Sequence, residues 1–184
     1  MLEVIYKKII PKDYLDIINS KELYRRLFKL SIFLFNLSIY SIPLLLFHLG
    51  LIKIPIEVLS SYTDIIGRLL IMEKEILSNN IVVKSFVFQI DQECMGIKSI
   101  LGFFAIMMST PTKEIKRRFL YFLIFSPIVF SLNILRILST VYGFYFYNLD
   151  PGFFHNFLWE VLNVIAIGSL WAVFYIKNKD NTLF

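Results

Sequence analysis

Cysteine occurs once in this chain, at Cys94, within Asp91-Gln92-Glu93-Cys94-Met95-Gly96-Ile97-Lys98-Ser99, where a polar segment runs into an apolar one. A lone thiol forms no intramolecular disulfide and no thiolate-cluster metal site. Nucleophilic attack is the chemistry left to it, and only the thiolate attacks. A neighbouring imidazole can take the thiol proton, and a neighbouring cation can stabilise the thiolate or an oxyanion. His155 and Arg136 supply those two groups from apolar surroundings. An arginine within a membrane span costs at least about 2.5 kcal/mol on insertion scales, so it normally has a partner or a task. The three residue types predict a cysteine-nucleophile enzyme acting on a substrate at a membrane surface.

The elements that must position them follow from the apolar runs. Hydrophobic residues make up 57% of the 184-residue chain, and Phe alone occurs 19 times. The mean hydropathy is +0.67. These values exclude an ordinary soluble domain. Charges cluster between long apolar runs, the pattern of a multi-pass membrane protein. The expected fold is mainly α: one polytopic membrane helix bundle over 1–184 with about four transmembrane helices, an N-terminal amphipathic helix and a small external helix plus β-hairpin. The four spans run from about Leu30 to Ile52, Met95 to Thr110, Phe119 to Phe144 and Phe154 to Ile176. Pro43 and Pro127 predict kinks in the first and third. Residues 1–29 form a cytoplasmic segment, of which Lys12 to Lys29 reads as an amphipathic helix on the inner surface. Residues 53–93 form an external segment. In it, Ile54 to Met72 reads as a helix, and the turn signal Ser78-Asn79-Asn80 separates Glu73–Leu77 from the β-rich run Ile81–Ile90.

Orientation follows from Lys and Arg placement. Thirteen fall on one side and four (Lys53, Arg68, Lys74 and Lys84) on the other. Both termini are therefore expected in the cytoplasm, with the protein in the cell membrane and its site facing outside. The same flanking pattern explains the net charge of +5 and argues against nucleic acid as a partner. Met1 to Ile10 has neither the long apolar region nor the small-residue cleavage site of a secretory signal. Cys94 opens span two from the outer boundary. Arg136 lies roughly 26 Å above Phe119 along a helix, in the outer part of a core about 30 Å thick. His155 follows the turn Asp150-Pro151-Gly152 and opens span four from outside. The three residues are expected at one depth.

Each also has a plain structural role open to it. Cys94 can be a small buried hydrophobe, Arg136 can snorkel to headgroups, and His155 can be an interfacial residue. His48, near the outer end of span one, is a rival base. Lys98, one turn past Cys94, can help acidify the thiol or snorkel outward. Asn133, Glu160 and Asn163 can form a supporting polar network, or satisfy buried polar groups between helices. No cofactor or metal is expected: two histidines on separate spans, without HExxH or paired aspartates, make a poor ligand set.

Cys94-Met95-Gly96-Ile97-Lys98-Ser99 resembles the Cys-x-Gly-Ile-x-Ser signature of the exosortase/archaeosortase family. Asn133-Ile134-Leu135-Arg136-Ile137 resembles its Asn-x-x-Arg-Ile motif, and His155 falls where the third catalytic residue lies. The resemblance covers about Ile54 to Trp171. It implies a membrane-embedded cysteine peptidase or transpeptidase, with Cys94 forming an acyl-enzyme and Arg136 and His155 assisting. It also implies as partners an exported protein substrate with a C-terminal hydrophobic tail and a membrane lipid as acceptor. Some family members carry arginine in the third position, and larger members have several more spans. The alternative is a non-enzymatic multi-pass subunit that binds an anionic lipid or substrate through Arg136.

Overall fold

The computed structural model describes residues 12–112 and 114–178, and it is mainly helical. Met1–Ile10, where no signal segment was expected, lies outside the described residues, as do Lys113 and Lys179 of the charge bias. Helix α1 spans Lys12–Tyr40, α2 Ile42–His48, α3 Ile56–Leu69, α4 Ile97–Ser109, α5 Ile115–Tyr147 and α6 Trp159–Asn178. A π-helical turn, Phe153–Leu158, leads into α6. Strands β1 Glu75–Leu77, β2 Asn80–Val83 and β3 Phe86–Gln89 lie between α3 and α4.

Among the described residues, two stretches are long and apolar enough to cross a membrane: α5, and the π-turn with α6. The pair α1 and α2 makes a third if it is one bent span, with 42° between its halves. The bend sits at Ser41, where Pro43 enters the first turn of α2 without an N–H to continue the ladder. Pro127 does not interrupt α5. Helix α4 has 13 residues, about 20 Å at 1.5 Å per residue, and is too short to span by length. The helix expected at Lys12–Lys29 is not a separate element. It continues through Lys29 into the first predicted span, because no Gly, Pro or turn residue breaks the chain there.

Residues 53–93, the segment expected outside the membrane, fold as a helix followed by a three-stranded antiparallel sheet in the order β1-β2-β3. The sequence pattern anticipated two strands. The run Ile81–Ile90 instead reverses at Lys84-Ser85, between paired Val83 and Phe86. Lys84 adopts φ +56 and Ser78, in the first turn, φ +57. Both turns are two-residue connections with a left-handed first residue. Lys84-Ser85 carries no Gly, Asn or Asp to announce such a turn. The sheet is pinned to the end of α5. Phe86 and Phe88 pack on Phe144, Lys84 Nζ donates to the Tyr145 carbonyl at 2.8 Å, and the Ile71 N–H donates to Tyr142 Oη at 2.9 Å.

Two apolar cores result. The first joins Tyr62, Ile66 and Leu70 of the α3 region to Ile81, Val83 and Ile90 of the sheet segment, and to Cys94, Met95, Ile137 and Val141. The second gathers Phe103, Met107, Val129 and Phe174 from α4, α5 and α6. Cys94 therefore belongs to the core beneath the sheet.

Candidate active site

The segment carrying Cys94 is held by hydrogen bonds at its backbone. Asp91 Oδ1 accepts from the Glu93 N–H at 2.8 Å and the Cys94 N–H at 3.0 Å, an Asx-type turn. The Cys94 carbonyl accepts from Asn133 Nδ2 at 2.6 Å, and the same amide lies 3.4 Å from Tyr62 Oη. Gly96 makes this approach possible. It begins α4 at φ +75, and a Cβ there would sit 2.7 Å from the Asn133 side chain. Its glycine is thus required twice, for a left-handed backbone and for contact with Asn133. The two sequence motifs are parts of one joint: the glycine of the first leaves room for the asparagine of the second.

Arg136 lies three residues after Asn133 on α5, so the two share a helix face. Asn148 ends α5 in the left-handed region. Asp150 then accepts from the Phe153 N–H at 2.8 Å, starting the π-turn that carries His155. His155 Nε2 lies 3.9 Å from Cys94 Sγ and 2.7 Å from Arg136 Nη2. A guanidinium only donates, so Nε2 is the acceptor and the ring proton resides on Nδ1. One lone pair thus faces both the cation and the thiol. Burial pushes the Cys94 thiol up to about 11; a backbone hydrogen bond at Asp91 and the Arg136 charge oppose the rise, and the Asp91 carboxylate, by charge and by side-chain hydrogen bond, adds to it.

The predicted residues fall into two groups. Cys94, Arg136 and His155 converge, with Asn133 directly beneath Cys94. His48 is exposed at the end of α2 and has no contact with Cys94. Lys98 pairs with Glu93 at a partly exposed site, where such a pair contributes little. Glu160 is exposed and lines, with Glu93, Lys98, Ser99, Arg136 and Asn163, a cavity of about 620 Å³. Asn163 donates to Ser99 Oγ, joining α6 to α4. A separate cavity of about 240 Å³ is bounded by Cys94, His155, Thr140 and the residues of β3. Arg136 Nε and Trp159 Nε1 are buried without a hydrogen-bond partner among the described residues. Sequence reasoning missed the supporting roles of Asp91, Tyr62 and Gly96. The spacing Asp91-x-x-Cys94 is a local turn signal that could have revealed the first; the contact of Tyr62 is 71 positions from Asn133 and leaves no local trace.

The family model described as transmembrane exosortase matches residues 22–172, a range that holds all three converging residues. The chain belongs to the transmembrane exosortase family. It is therefore a membrane protein of a family whose general type is a cysteine transpeptidase. No curated protein and no solved structure matches the chain.

Proposed function

We propose that this exosortase-family protein is a membrane cysteine peptidase or transpeptidase that cleaves the C-terminal sorting tail of exported proteins at the outer face of the cell membrane and passes the new end to a lipid. It acts as one membrane domain in which α4 packs as a short apolar helix among the longer spans, with both termini in the cytoplasm. The observation that carries the reading is the meeting of Cys94 Sγ and Arg136 Nη2 at the single acceptor nitrogen of His155.

The chemistry follows from that shared lone pair. At rest the guanidinium occupies Nε2 and the thiol keeps its proton. A substrate carbonyl drawn toward Arg136 takes over the guanidinium, and Nε2 then accepts the Cys94 proton. The thiolate adds to the carbonyl carbon, and Arg136 stabilises the tetrahedral oxyanion. The imidazolium returns its proton from Nε2 to the leaving amine, leaving a thioester on Cys94. Water or a lipid nucleophile gives its proton to His155 and attacks the thioester, and the expelled Cys94 thiolate takes that proton back from the imidazolium. Asn133 holds the Cys94 carbonyl throughout and so positions the sulfur.

The test is co-expression with a tail-bearing exported protein, comparing wild type with Cys94→Ala by mass. Wild type shortens the substrate and Cys94→Ala leaves it full length; an unshortened substrate in both overturns the reading. A second reading has one observation in its favour, the buried Nε of Arg136 without a hydrogen-bond partner among the described residues. In it the chain binds an anionic lipid or substrate through Arg136 without chemistry. Cys94→Ser would then retain function while Arg136→Ala would not.

A further inference from the structure

Strand β3 is an edge of its sheet, since the order is β1-β2-β3. Val83 and Phe86 close a two-residue turn, so they form the hydrogen-bonded pair, and the bonding alternates from there. Phe86 and Phe88 therefore direct their backbone groups at β2. The Ile90 N–H continues the alternation, donating to the Asn79 carbonyl at 2.7 Å. Val87 and Gln89 direct theirs away from the sheet, and those groups have no hydrogen-bond partner among the described residues.

This edge borders the site. Five consecutive residues, Phe86 to Ile90, line the same cavity as Cys94 and His155. Alternate strand residues point to opposite faces, so an unbroken run of five lines one cavity only where the cavity follows the strand's edge. Proteins usually blunt free edges with charge, proline or a cover. The outer strand β1 has Lys74 and Glu75 at its start; β3, Phe-Val-Phe-Gln, has neither charge nor proline. Its position is set by the packing of Phe86 and Phe88 on Phe144.

We propose that the β3 edge binds the substrate's cleavage segment as an added strand, through the outward N–H and C=O groups of Val87 and Gln89, and so lays an extended peptide backbone across Cys94. The occupant is an extended peptide because the free groups are alternating backbone donors and acceptors at strand spacing. The inference rests on the peptidase reading above and names how that site takes its substrate. Affinity then comes from main-chain bonds that tolerate many sequences, and selectivity from side chains reaching into the cavity.

The test tethers a probe, so that no natural substrate is required. The full-length chain in lipid nanodiscs is treated with Thr-Val-Thr-Val-Cys carrying a 2-pyridyl disulfide. The Cys94 thiolate displaces pyridine-2-thiolate and forms one mixed disulfide, seen by mass. Amide hydrogen exchange is then read at single residues. The expected result is exchange about tenfold slower at Val87 and Gln89, the factor one net hydrogen bond supplies, with Phe86 and Phe88 unchanged. Methylating the peptide nitrogens at every second residue removes the protection in one parity and leaves it in the other. Failure to attach, absent protection, or equal effects of both parities overturns the proposal. Tethering involves no turnover, so the two readings separate. A chain that shows the parity pattern yet cleaves no tail keeps the edge and loses the peptidase reading. One that cleaves without the pattern loses the edge alone.

Discussion

Two of the arginines on helix α5, Arg118 in its first turn and Arg136 well along it, live differently. Arg118 is buried at 8% exposure and fully occupied: Nε donates to Thr112 Oγ1 at 2.9 Å, Nη1 to the Met108 carbonyl at 2.7 Å, and Nη2 to the Thr112 carbonyl. Those carbonyls belong to the end of α4 and the turn after it, where a helix leaves acceptors without donors. The planar fork of Arg118 fits them. Arg136 gives one bond to a histidine, leaves its Nε without a partner and borders an open cavity. A cation with a bond at each of its three nitrogens, two of them to backbone carbonyls, is part of the frame. A cation kept short of acceptors is ready for one that arrives with a substrate. In sequence Arg118 is one of the basic residues flanking an apolar run; its environment makes it a clasp between α4 and α5.

Replacing each arginine in turn should separate these roles. Arg136→Met should slow processing by about 100- to 1000-fold, the scale of a lost oxyanion donor, with the thermal midpoint unchanged or higher. Initial rates and a melting curve on the same preparation check this. Arg118→Met should do the reverse: the Met108 and Thr112 carbonyls lose their donors, at a cost of about 2–4 kcal/mol, while the rate per folded molecule holds in denaturant-calibrated assays. Equal stability losses in the two variants would erase the contrast. Gly96→Ala tests the joint beneath the site. The strained φ and the clash with Asn133 should cost about 1–3 kcal/mol. Adding Asn133→Ala should return part of that in a double-mutant cycle.

Proton affinity gives a finer division. Burial favours the neutral Cys94 thiol, so alkylation by iodoacetamide should rise through a midpoint near pH 11 in the resting protein. The sign follows from linkage: the folded chain holds this proton more tightly than the unfolded chain. The stability it contributes is whole below the ordinary thiol value and drains as pH climbs through about 11. Arg136→Met should move the alkylation midpoint up, and Arg118→Met should leave it in place. The smallest effect is expected from Lys98→Ala, within about 0.5 kcal/mol in stability, because its pair with Glu93 is partly exposed.

Membrane class, the longest spans and the identity of the converging residues were legible because each leaves a local mark. Apolar runs of spanning length, a bend at Pro43 and rare polar residues inside apolar stretches can all be read along one strand of text. The number of spans was less so. The second predicted span folds as a 13-residue helix, since Gly96 and Asp91 turn the chain just above it and Thr110-Pro111 end it below. The third strand was hidden for a similar reason: Lys84-Ser85 lacks the residue types that favour a left-handed turn, and its partners across β2 and α5 impose one.

By itself the amino-acid sequence determined that this chain is a membrane protein with one thiol at the edge of an apolar run, and with an arginine and two histidines in apolar surroundings worth attention. These are properties of composition and local pattern, set by the cost of placing polar groups in hydrocarbon. Only the tertiary structure decided that His155, and not His48, stands beside Cys94, that Asn133 grips the cysteine's carbonyl through the space left by Gly96, and that β3 offers a bare edge to the same cavity. The first two pairings join residues 61 and 39 positions apart. They depend on which helix faces meet, and no periodicity along a single chain carries that information.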